Sequence, residues 1–225
     1  MGWLSRLLGT SPEAKYEKYV QQGKDAVRRK RYAEAVEAYD RALAINAGQP
    51  AVWIWKIEVL VELERRNQAL SCCDAALRVH PRATELWGWR AQILAELARP
   101  EEAAASFDRA LETAPKDVSL HASKAFHLLY RMHLDNEVIA CADQGLAVDP
   151  SHCKLLGYKA EALMNTERPE EALVCLDRAL ASPALDPGAK ESLLRHKAQA
   201  LSLLGRLEES AECERQIKNM TVRLR

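Results

Sequence analysis

Six cysteines, six histidines and 32 acidic side chains are the groups in this 225-residue chain that could do covalent, metal or acid–base chemistry. Their spacing does not support any of the three. Cys72, Cys73, Cys141, Cys153, Cys175 and Cys213 contain no C-x-x-C and no zinc spacing, which reads as reduced core cysteines in an intracellular, cytoplasmic compartment. His121, His127 and His133 fall six apart, about 600° of helical turn, whereas a shared metal wants ligands three or four apart on one face. No G-x-S-x-G, glycine-rich phosphate loop or H-E-x-x-H occurs. The cluster Arg28, Arg29, Lys30, Arg31 admits a phosphate or acidic-peptide patch, or simply cations complementing a helix C-terminus. The chain therefore reads as a non-enzyme with no cofactor or metal. Its chemistry is that of binding, and two W-x-W segments, Trp53-Ile54-Trp55 and Trp87-Gly88-Trp89, stand out. One and two helical turns after the second Trp come Glu58 and Glu62 in one segment, Gln92 and Glu96 in the other.

Helices must position these residues. In 84–117, Leu86, Trp87, Ile93, Leu94 and Leu97 fall three and four apart, as do Ala103, Ala104, Phe107, Ala110 and Leu111. Between the runs, Arg99-Pro100-Glu101-Glu102 ends one helix and opens the next, with proline in the first turn and two carboxylates at the positive end of the dipole. Pro115 closes the second helix. Two helices this short are marginal alone, so the hairpin needs neighbours to cover its apolar faces. The chain supplies them. Residues 50–83 lie over 84–117 without a gap, Trp53 on Trp87, Trp55 on Trp89, Leu60 on Leu94, Ala69 on Ala103, Asp74 on Asp108, Ala76 on Ala110 and Pro81 on Pro115.

A period of about 34 residues with a Trp, a mid-helix apolar residue, Ala-x3-aromatic-x2-Ala and a closing Pro resembles the tetratricopeptide repeat (TPR). Ala103, Phe107, Ala110 and Pro115 match its second half. The usual Leu-Gly pair of the first helix is replaced by Arg90-Ala91, Lys56-Ile57, Lys124-Ala125, Lys159-Ala160 and Lys197-Ala198, whose stems can cover apolar surface. The resemblance implies an all-α, right-handed α-solenoid of stacked helix hairpins, about six TPR units, at 16–49, 50–83, 84–117, 118–152, 153–186 and 191–224. Residues 1–15 stand outside it as an N-terminal amphipathic segment, the repeats filling 16–225. Such folds carry many functions, and the resemblance is silent about activity.

In proteins of this kind the first helices line a concave groove, and the sixth place of each repeat points into it. Those places here are Gln21, Trp55, Trp89, Ser123, Tyr158 and His196, followed by Glu58, Glu62, Gln92, Glu96, Phe126, Tyr130, Glu161 and Asn165. A row of rings flanked by carboxylates suits a protein or peptide segment that is apolar and carries Lys or Arg. The alternative is that Trp55 and Trp89 pack against each other or against the N-terminal segment, with Trp53 and Trp87 already meeting the core's needs. TPR proteins that clamp acidic chaperone tails place Lys, Asn and Arg where Val20, Lys24, Trp55, Glu85 and Trp89 stand here. Only Lys24 carries that charge, so the expected partner is a different one.

Composition sets outer bounds. Lys plus Arg equals Asp plus Glu, 32 each, which gives no support to a nucleic-acid surface. Aromatic content of 6% with few Pro and Gly disfavours a β-sandwich and a disordered chain. Trp3, Leu4, Leu7 and Leu8 give residues 1–15 one apolar face, which could cap the first repeat, remain disordered, or make a weak, reversible membrane contact as the tether of a peripheral assembly factor. The fourth repeat is one residue long and carries Val138, Ala142 and Gly145 at pattern positions, which predicts a softer joint. In the sixth, Glu214 takes the place of Phe107, which predicts a solvated face.

Overall fold

The structure, a computed structural model, describes residues 11–183 and 185–223. Trp3, Leu4, Leu7 and Leu8 lie outside the described residues. Helices account for nearly all of the rest: α1 (Pro12–Arg28), α2 (Tyr32–Ile45), α3 (Pro50–Glu62), α4 (Arg66–Val79), α5 (Thr84–Glu96), α6 (Pro100–Thr113), α7 (Val118–His127), α8 (Asp135–Val148), α9 (Cys153–Asn165), α10 (Pro169–Leu180), α11 (Pro187–Leu203) and α12 (Leu207–Arg223). They pack in consecutive pairs, as six hairpins. Two outer limits shift. The first helix starts at Pro12, where Ser11-Pro12-Glu13 reads as a helix start although the first repeat is set at 16, and the sixth hairpin starts at Pro187. Each has a start signal in the sequence: Ser11 and Asp186 accept from the backbone N–H of Ala14 and Ala189, with proline at the next position. Among the described residues no helix is long and apolar enough to cross a membrane.

The chain divides into two compact units, one ending at Pro115 and the other beginning at Lys116. In the first, α1 to α6 pack in order and the first helices α3 and α5 also meet. In the second, α7 to α12 pack in order and α7 and α11 both meet α9. The apolar interior lies between successive helices. Tyr39, Cys73, Phe107, Ala142 and Leu176 occupy one register position and are all buried, while Glu214 at the sixth is exposed. Large side chains there face small ones: Gly23 lies so close to the Tyr39 ring that a Cβ would come within 2.3 Å of it. All six cysteines are free and five are buried; burial pushes the Cys72 thiol up to about 11.

Each hairpin turns in the same way. Lys30, Glu64, Ala98, His133, Glu167 and Gly205 have φ between 55° and 71°. The next N–H reaches back five residues in most of them, as Arg99 N to Leu94 O at 2.9 Å. This is the Schellman motif, which glycine fits best. Five of the six positions are not glycine, and an L-residue there costs about 1–2 kcal/mol. Ala98→Gly should therefore stabilise by about 0.5–1 kcal/mol after glycine's extra unfolded-state entropy. Denaturant midpoints at constant m would register the gain, and a loss would mean that the turn does not need its left-handed residue.

The fourth repeat is filled where a softer joint was expected. Its extra residue goes into a π-helical turn, Leu128–Met132, closed by Leu134 N to Leu128 O at 3.0 Å. Val138 and Ala142 are fully buried. Gly145 permits close approach, since a Cβ there would sit 2.5 Å from Leu155 Cδ1 and 2.9 Å from His121 Cβ. Glycine is a packing requirement here. His133 is the left-handed turn residue, away from buried His121 and His127.

The cations that replace Leu-Gly form a second repeating device. Lys56, Arg90, Lys159 and Lys197, on the first helices, reach Asp40, Asp74, Asp143 and Asp177 on the second helix of the hairpin before, at 2.5 to 2.8 Å. The cationic side chains are only 17–28% exposed. Arg90 also donates to Ser106 Oγ at 2.6 Å and so ties three helices. The aspartate partners were not foreseen.

Candidate functional site

In the first unit, α3 presents Trp55, Glu58 and Glu62 at positions one helical turn apart, and α5 brings Trp89 alongside because the two helices meet. Together with Lys24 and Arg28 of α1 and Tyr32 and Tyr39 of α2 they line an open cleft of about 670 Å³. Both tryptophans are half-buried. Trp55 leans on Tyr39, ring centroids 6.1 Å apart, and the Lys24 ammonium lies 4.1 Å from its ring centroid. Packing thus takes one side of Trp55, against the first hairpin, while the ring still borders the cleft. Partial burial, and then the nearby Glu85, raise the pKa of Glu58. Burial and Glu58 push the Tyr39 phenol up to about 12.

Trp53 packs against the core of the first hairpins, as expected, and both it and Trp87 also make a hydrogen bond that was not. They are half-buried, and their indole N–H groups donate to Ala47 O and Pro81 O, both at 2.9 Å, pinning each helix start to the loop before it. The guanidinium groups of Arg90 and Arg109 lie 5.9 and 5.7 Å from the Trp87 ring.

Gln92 and Glu96 do not line this cleft. Glu96 is held by Arg66 at 2.6 Å. Lys24 and Arg28 do; the sequence reading sets Lys24 at a groove place and Arg28 in a basic cluster without joining either to the tryptophan row. The signal was present: they occupy in the first repeat the places of Glu58 and Glu62 in the second.

In the second unit Phe126, Tyr130 and Tyr158 form one cluster, centroids 5.0 to 6.1 Å apart. Tyr130 donates its phenol O–H to Glu161 Oε2 at 2.5 Å, and His196 Nε2 lies 3.7 Å from the same oxygen. Burial and that hydrogen bond push the Tyr130 pKa well up. Phe126, Tyr130, Tyr158, Glu161 and His196, five of the expected residues of this unit, are thereby brought together. Tyr130, Tyr158, Glu161 and His196 line a cleft of about 140 Å³ whose other walls include Lys154, Leu185 and Leu193. Asn165 is turned to Asp135, to which it donates at 2.8 Å. Both clefts offer rings, apolar walls and a few charges.

Residues 20–65 and 56–118 match a family model described as tetratricopeptide repeat. No curated protein matches the chain. Among solved structures, a tetratricopeptide repeat protein from Parabacteroides merdae is similar at TM-score 0.72 and 14% identity, over 92% of this chain and 80% of that one. PilW, a type IV pilus biogenesis factor, is similar at TM-score 0.70 and 20% identity, over 91% of this chain and 92% of its own. YrrB, a TPR protein with an unusual peptide-binding site, is similar at TM-score 0.59 and 21% identity, over 72% and 83%. These likenesses are likenesses of fold.

Proposed function

We propose that this chain, whose residues 20–118 match the tetratricopeptide repeat family and whose fold is that of tetratricopeptide repeat structures, is a non-enzymatic protein-interaction scaffold whose first-unit cleft holds a partner segment that is apolar and carries Lys or Arg. TPR proteins bind protein or peptide partners. The observation that carries the finer reading is the convergence of Trp55, Trp89, Glu58 and Glu62 on one open cleft. Large half-exposed rings beside unneutralised carboxylates match the composition of binding hot spots. The Phe126, Tyr130, Tyr158 and Glu161 cluster supports a second contact point of like chemistry. YrrB, similar in fold, is described as having a peptide-binding site, which supports a peptide reading here. The balanced net charge favours a protein partner over nucleic acid.

Selection from a random peptide library on the immobilised protein tests this. Enriched sequences should pair Leu, Ile or Phe with Lys or Arg. For a selected peptide, Glu62→Lys should slow association by about tenfold at low salt and flatten its salt dependence, with the dissociation rate little changed. Enrichment of acidic peptides, or indifference to Glu62→Lys, would overturn the reading.

A further inference from the structure

The cleft of the first unit already holds a cation. Lys24 reaches from α1 over the face of Trp55, its Nζ 4.1 Å from the ring centroid. An indole face is the best aromatic seat for an ammonium or guanidinium. The other charges in the cleft are unevenly engaged. Arg28 is paired with Asp25 at 3.3 Å. Among the described residues, neither Glu58 nor Glu62 has an ion-pair partner, and Glu58 has a second carboxylate, Glu85, as its electrostatic neighbour. Lys24 in turn has no carboxylate within ion-pair distance among the described residues and is held by the ring alone. An arriving anion would meet two unneutralised carboxylates. An arriving cation would find those carboxylates and a ring face occupied only by a flexible side chain.

We infer that Lys24 is the resident occupant of a cation seat, and that a lysine or arginine side chain of the partner segment takes its place on Trp55 when it binds. The inference rests on the cleft being the partner site and adds what the cleft recognises and what must move. A ring-held ammonium at a partly exposed site shifts an equilibrium by a factor of about two to five, so the exchange is readily reversible. Lys24 thereby acts as a threshold. An apolar segment without a cation leaves it in place, and one with a cation displaces it and gains Glu58 and Glu62 as well.

The test uses the full chain and acetylated, amidated leucine peptides carrying lysine, norleucine or glutamate at the same alternate positions. Tryptophan fluorescence reports binding for the parent, Lys24→Met and Lys24→Arg, each checked for an unchanged melting temperature. The lysine peptide should bind Lys24→Met about fivefold tighter than the parent and Lys24→Arg as the parent does. The norleucine peptide should bind all three alike. In the parent, the ring-shifted ε-methylene proton signal of Lys24 should move to its solvent position as the lysine peptide saturates, and stay with norleucine. If the lysine peptide binds while that signal remains ring-shifted, the cleft reading stands and the exchange falls. Preference for the glutamate peptide, weakened in Lys24→Met, would make Lys24 an anion contact and overturn the inference. If none of the peptides binds any variant, the cleft reading falls and takes the exchange with it.

Discussion

Phe107→Ala should lower stability by about 3–5 kcal/mol, seen as a shift of the denaturant midpoint and as early amide exchange in α5 and α6. Phe107 is fully buried, in a register position otherwise held by Tyr39, Cys73, Ala142 and Leu176. Ala91, Ala103 and Ala110 of the same hairpin likewise have no exposed surface. Truncation would leave a cavity that helices tied on both sides cannot close. The matched control is Glu214→Ala, at the same register position in the sixth hairpin. Glu214 is exposed, so its removal should stay within about 0.5 kcal/mol. Equal costs at the two sites would mean that the shared register is illusory.

Trp89→Ala should weaken binding of a selected peptide by about 2 kcal/mol or more, roughly thirtyfold in Kd, measured by calorimetry. Trp89 is half-buried and borders the cleft, so a bound segment would complete its desolvation. The stability loss should be well below that of Phe107→Ala, because less of its surface is withdrawn from water by folding alone. Trp87→Ala, two residues away, should do the reverse: it loses the hydrogen bond to Pro81 O and the packing that pins the α5 start, and should spare binding. If Trp89→Ala unfolds the protein while leaving affinity intact, the partner docks elsewhere.

The contrast between Trp87 and Trp89 shows what was legible in the sequence. Hairpin limits could be read from Pro50, Pro100, Pro169 and the alanine pattern, because backbone punctuation acts locally. The face on which Trp55, Glu58 and Glu62 lie followed from helical period alone. What Trp53 and Trp87 do did not follow, because an indole N–H can serve the loop six residues before it as well as the interior. The size match between Gly23 and Tyr39 joins helices whose pairing had first to be known. The positive φ of Lys30, Glu64, Ala98, His133 and Glu167 was hidden because none is glycine. Gly145 looked like a defect in the helix; it is required by His121 and Leu155, which come from two other helices.

The aspartate–cation pairs between successive hairpins bear on how such a chain can change length. Lys56–Asp40 and Arg90–Asp74 have the same polarity, as do Lys159–Asp143 and Lys197–Asp177: the carboxylate always belongs to the earlier hairpin and the cation to the later. The second and fifth hairpins, each flanked on both sides within its own unit, therefore present a carboxylate to the successor and a cation to the predecessor, like a coupling with one male and one female end. Duplicating or deleting a whole hairpin between two others restores every coupling. Losing a single helix brings two like halves together and leaves a poorly solvated charge without its counter-ion, a far costlier state than the intact pair. Genetic change in this region is thus channelled into steps of one complete hairpin.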